Sequence, residues 1–100
     1  MSEILGDKAL ENKVDYFYKE LVKDPLFCVN QDLDVEMTYD LSKYFLGCKV
    51  YLSTGGPTVW LNTRTSILRG TWGTQEYGRG VDPAISETIS DFYYENYGEL

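Results

Sequence analysis

The chain has 100 residues, with 16 Asp and Glu against 9 Lys and Arg, no histidine, a formal charge of -7 and a pI near 4.4. At about 100 to 200 residues per domain this is one domain, residues 1–100, large enough to bury roughly 60 to 68% of its unfolded surface. Hydrophobic residues at 43% and aromatics at 15% exclude a disordered chain, and no apolar run approaches the roughly 18 residues that a membrane helix needs.

The first residues, Met1-Ser2-Glu3-Ile4-Leu5-Gly6-Asp7, lack the positive start and apolar middle of a signal peptide, so a cytoplasmic protein is expected. From about Asp7 to Lys23, residues Leu10, Val14, Phe17, Tyr18 and Leu21 fall at i, i+4, i+7, i+8 and i+11, one stripe of an amphipathic helix. Asp7 is the expected N-cap and Asp15 with Lys19 a favourable pair one turn apart. Pro25 pushes Asp24 out of the helical region and ends the segment. Cys28 and Cys48 are too few for a disulfide framework and are spaced for neither zinc nor a redox pair, so both read as buried apolar residues.

Between Asp32 and Gly47 two periods coincide. Leu33, Val35, Met37, Tyr39 and Leu41 alternate like a strand, while Leu33, Met37, Leu41, Tyr44 and Phe45 keep helical spacing. The favoured reading is a short helix over 39–46, capped by Asp40 or Thr38 and stopped at Gly47, with residues 32–39 open between strand and helix. Strands follow at Lys49–Thr54, Thr58–Asn62 and Ser66–Trp72, rich in β-branched and aromatic residues, with Gly55-Gly56 as a tight hairpin and 62–66 as the next turn. The glycines of Gly73–Gly80 suggest a flexible loop or an irregular fourth strand. Asp82 as N-cap and Pro83 at the first helical position open a last helix, which places Ile85, Ile89, Phe92 and Tyr93 on one stripe before Gly98. The expected architecture is α+β: a three- to four-stranded antiparallel meander with an N-terminal and a C-terminal helix on one face.

Charge is segregated along the chain. Residues 1–40 hold 10 acids and 4 bases, residues 41–80 hold 1 acid and 5 bases, and residues 81–100 hold 5 acids and no base. The five middle cations, Lys43, Lys49, Arg64, Arg69 and Arg79, are too few and scattered for a phosphate-tracking groove, so direct nucleic-acid binding is not expected. In the last helix Glu87, Asp91, Glu95 and Glu99 recur every fourth residue, a column of like charges that costs helix stability and has no local benefit. Tyr94 and Tyr97 interleave with it, and tyrosine beside carboxylates suits an interface. This face is the candidate binding surface for a basic protein partner, with Asp32, Asp34 and Glu36 as a second acidic patch if it lies nearby. The bland alternative is a solvated helix kept for solubility, with Tyr93, alone or together with Tyr97, in the core.

Asp32, Asp34 and Glu36 also invite a calcium-loop reading, which fails because Met37 stands where Gly is needed and Lys43 where Glu is needed. Thr54-Gly55-Gly56-Pro57 lacks the Gly-Lys-Ser/Thr of a phosphate loop and leads into a strand. Without histidine the Ser-His and Cys-His nucleophile arrangements are excluded, so no catalytic, cofactor or metal residue is assigned and a non-enzyme is expected. A carboxylate pair or a small-ligand site at the Gly-rich loops is left open by the residues, as is dimerisation through a sheet edge or the tyrosine-rich helix.

The run Val50-Tyr51-Leu52-Ser53-Thr54-Gly55-Gly56-Pro57-Thr58-Val59-Trp60-Leu61-Asn62-Thr63, followed by Gly70-Thr71-Trp72-Gly73, resembles a pattern in small phage and prophage proteins. It covers about a quarter of the chain. In size and charge the chain is also similar to anti-CRISPR inhibitors. That likeness implies a phage-encoded inhibitor in the host cytoplasm that occupies a basic, nucleic-acid-binding surface of a CRISPR effector or another defence nuclease. An immunity protein or antitoxin that neutralises a basic toxin is the alternative with the same electrostatics.

Overall fold

The structure, a computed structural model, describes residues 2–27 and 34–97, with side chains from residue 9 onward. Cys28, Asp32, Leu33, Gly98 and Glu99, which the sequence reading used, lie outside the described residues. Helix α1 spans Ser2–Lys23. It starts before Asp7, which therefore lies inside the helix and is not its cap. The predicted stripe is correct: Leu10, Val14, Phe17 and Leu21 are buried and Tyr18 is half-buried. The helix ends where Pro25 demands, with the Asp24 amide donating to the Glu20 carbonyl at 3.0 Å. Asp15 pairs not with Lys19 but with Arg79, at 2.9 Å, because α1 lies over the strand that carries that arginine.

Five antiparallel strands follow in the order β1-β2-β3-β4-β5. They are β1 Asp34–Tyr39, β2 Phe45–Ser53, β3 Thr58–Asn62, β4 Ile67–Trp72 and β5 Gln75–Gly80. The meander thus has one or two strands more than expected. The helix predicted over 39–46 does not form. Alternation wins over helical spacing because β1 pairs with β2 in a register, Val35 to Val50 and Met37 to Cys48, that turns Val35 and Met37 toward the core. Asp40 does bind backbone amides as a cap would, but its carboxylate accepts from Ser42 and Tyr44 at 2.8 and 3.0 Å and closes the β1–β2 hairpin. Gly47 lies within β2, with φ of 151°, and an added Cβ would meet Arg64 Cγ at 2.5 Å. It is therefore a strand glycine crossed by the β3–β4 turn, and not a helix stop. Thr63 of that turn is tied to β2: the Cys48 amide donates to its hydroxyl and its own amide donates to the Cys48 carbonyl, both at 2.9 Å.

The β2–β3 link is four residues long, not a two-residue turn, and residues 73–80 form a hairpin and a regular strand in full register with β4. Helix α2, Pro83–Tyr97, starts as predicted, with the Asp82 carboxylate accepting from the Ala84 amide at 2.9 Å. It buries Ser86, Ile89 and Tyr93 and leaves Ile85 and Phe92 half-buried. α1 packs on β4 and β5, α2 on β2. The register places the buried residues of the strands, Cys48, Val50, Leu52, Val59, Leu61 and Leu68, on one face beneath both helices. No described helix lies over the other face of the sheet.

Candidate functional site

Because Ile89 and Tyr93 face the sheet, the opposite side of α2 points to solvent. There Glu87, Asp91 and Glu95 are exposed and lie one turn apart, about 6 Å between neighbours at roughly 1.5 Å rise per residue. None of the three is in an ion pair among the described residues. The last turn of α2 contains no basic residue, so Glu95 sits unscreened at the negative end of the helix dipole. A cation supplied from outside would relieve both the mutual repulsion and the dipole term.

The tyrosines divide. Tyr93 is a core residue, 2% exposed, whereas Tyr94 and Tyr97 are 51% and 65% exposed. Tyr94 leans on Phe45 with ring centroids 5.3 Å apart, and Phe45 in turn meets Tyr39 at 5.6 Å. Tyr97 sits 6.1 Å from Tyr93 and, with Val35 and Met37, lines a groove of about 280 Å³ between α2 and the edge strand. Through Phe45 the exposed tyrosine is joined to the β1–β2 hairpin, whose tip holds Leu41 and Tyr44 at 105% and 71% exposure. Sequence reasoning missed this tip by assigning Leu41 and Tyr44 to the apolar stripe of a helix. The usable signal was Asp40, a turn-forming residue whose carboxylate binds the Ser42 and Tyr44 amides and ends the strand before Leu41.

The second acidic patch does not join the first. Strand alternation turns Val35 and Met37 toward α2 and therefore sends Asp34 and Glu36 to the uncovered face of the sheet. There Glu36 accepts a hydrogen bond from the Tyr51 hydroxyl at 3.3 Å.

Among the described residues no three His, Cys, Asp or Glu converge to hold a metal ion. Burial pushes the Cys48 thiol above its ordinary pKa, and the opposing hydrogen bond with Thr63 is the weaker influence, which makes this cysteine a poor nucleophile. A groove of about 650 Å³ between α1 and the end of β2 is lined, among the described residues, by Lys13 and by no carboxylate. No described helix is long and apolar enough to cross a membrane. The arrangement brings together an acidic column with no ion pair among the described residues, the exposed Tyr94 and Tyr97 of the same helix and, through Phe45, the β1–β2 hairpin. Set against protein-family models, curated proteins and solved structures, the chain finds no match.

Proposed function

We infer that this chain is an inhibitor of the anti-CRISPR kind, which docks α2 and the adjoining β1–β2 hairpin tip onto a basic, nucleic-acid-binding surface of a host defence effector. The single observation that carries this reading is the column Glu87, Asp91 and Glu95, exposed and without an ion pair among the described residues, on the same helix as the exposed Tyr94. Solubility alone calls for charge of both signs spread over the surface, whereas here one helix carries three acids and no base. Tyrosine and leucine held out in solvent supply the apolar anchors that charges alone lack. The phage-like run through Val50–Thr63 adds the expected source, and the acidic face adds the expected target.

The test is affinity purification from bacterial lysate, identification of the recovered protein, and measurement of its nuclease activity with purified components. The wild-type chain is expected to recover a basic nuclease or effector complex and to inhibit it. Exposed charges act mainly through association rate and salt dependence, so Glu87→Lys with Asp91→Lys should weaken that complex about tenfold or more at low ionic strength and much less in high salt. Unchanged affinity in the double variant removes this face as the docking surface. Recovery of a single small toxin in place of an effector makes the chain an immunity protein.

A further inference from the structure

The uncovered face of the sheet carries its own arrangement, independent of α2. At its centre Tyr51, Trp60 and Arg69 stand side by side in register on β2, β3 and β4, and Lys49 is in register with Asn62 in the adjacent row. The Tyr51 and Trp60 rings are 6.2 Å apart and inclined at 46°, so they form two separate stacking surfaces. The Lys49 ammonium lies 4.7 Å from the Trp60 ring and 5.1 Å from the Tyr51 ring. Residues 41–75 contain four cations and no carboxylate. The acids of this face, Asp34, Glu36 and Glu76, sit only on the edge strands. Glu76 is engaged with Arg69 at 3.2 Å and Glu36 with the Tyr51 hydroxyl. Over the whole face three carboxylates thus stand against two cations, and Glu36 is in register with Lys49, but both cations flank the ring pair on β2 and β4. A sheet layer, roughly 10 Å from its neighbours, separates it from the α2 carboxylates by about one Debye length.

Tyr51 and Trp60 are half-buried, and aromatic rings on a sheet face, flanked by cations and by amide and hydroxyl groups that can meet base edges, are the chemistry that holds unpaired bases. We propose that this face binds a short stretch of single-stranded nucleic acid, with one base stacked on Trp60, its neighbour on Tyr51, and two consecutive phosphates, the one between these nucleotides and the next along the strand, on Lys49 and Arg69. Asn62, with its side-chain amide, is placed to meet a base edge. The sequence reading sets nucleic acid aside for want of a long basic groove. This site needs none, because two bases and two phosphates fill it, and the cations that are scattered in sequence meet through the register of β2, β3 and β4. A neutral oligosaccharide would use the same rings but leave Lys49 and Arg69, the two cations that flank them, without a role.

The test uses the Trp72→Phe chain, in which Trp60 is the single tryptophan, and an oligothymidylate of about ten nucleotides as the probe, within the length range of single-strand sites. Trp60 fluorescence is expected to be quenched on binding. With two phosphate contacts at about -0.7 each, the log–log salt slope is about -1.4, or about a sevenfold loss of affinity between roughly 50 and 200 mM salt. Lys49→Gln and Arg69→Gln should each remove about half of that slope. Fluorescence anisotropy of a labelled oligonucleotide with the unmodified chain gives the same answer should Trp72→Phe not fold. No quenching at the lower salt, binding indifferent to Lys49→Gln, or inorganic polyphosphate that binds as tightly as the oligonucleotide would overturn the proposal. Quenching by a neutral oligosaccharide that salt leaves unchanged overturns it in favour of a sugar. Glu87→Lys with Asp91→Lys should leave oligonucleotide binding in place, so the two surfaces stand or fall separately.

Discussion

Gly70 shows how closely α1 rides on the sheet. It lies on the inner face of β4, where an added Cβ would come within 2.7 Å of Val14 Cγ2 and 2.9 Å of Leu10 Cδ1. Val14 is fully buried and stiff at χ1, so it has nowhere to turn. Gly70→Ala should therefore cost about 1 to 3 kcal/mol by overpacking, although alanine would otherwise favour the strand through the unfolded state. Urea unfolding measures this, and Gly70→Ala combined with Val14→Ala should recover part of the loss if the clash is the cause. A stability equal to wild type for Gly70→Ala would mean that α1 does not approach β4 so closely. The sequence shows Gly70 only as a weak spot in a strand. Why a glycine is needed there depends on a helix more than fifty positions away.

At the scale of elements, what was legible followed from how many signals agreed. For α2 the cap, the proline and the apolar spacing all agree, and the helix forms where they place it. Strand β3 was equally legible, since Gly-Pro before it and Asn-Thr after it bound a short alternating run. The β1–β2 hairpin was not, because Met37 and Leu41 satisfy both periods and only pairing with β2, a long-range event, breaks the tie. The contacts between elements also carry a pH dependence. Tyr77 of β5, whose hydroxyl donates to Asp15 of α1 at 3.4 Å, has its pKa raised by burial and by the nearby carboxylates. Cys48, under the β3–β4 turn, is raised by burial. Each group keeps its proton in the native state at a pH where the unfolded chain releases it. Their stabilisation is therefore whole below the ordinary values of 9.0 and 10.0 and is lost as pH rises through the higher native values. The urea midpoint should fall from about pH 9 upward, and Tyr77→Phe should flatten the upper part of that fall. A midpoint that holds constant through this range would contradict the packing of both groups.

On the scale of the whole molecule, folding converts a charge pattern along the chain into one in space. The acidic α2 looks out from one side, and the cationic, aromatic centre of the sheet looks out from the other. The α2 column was readable because a helix preserves sequence spacing, so an i, i+4 recurrence survives as a line of charge. The sheet centre was not, because Lys49 and Arg69 become neighbours of one ring pair only through β3 lying between them. The same logic separates Asp34 and Glu36 from α2, although all three bear the same sign. The two faces differ in composition: α2 carries three acids and no base, whereas the sheet face sets Lys49 and Arg69 on central strands and Asp34, Glu36 and Glu76 on its edges. The most direct test of the central claim is amide hydrogen exchange on the chain alone and in complex with the purified effector it recovers. Slowed exchange should appear in α2 from Glu87 to Tyr97 and at the hairpin tip, 40–46. Exchange in α2 that is the same in both states, with protection elsewhere on the chain, would contradict it.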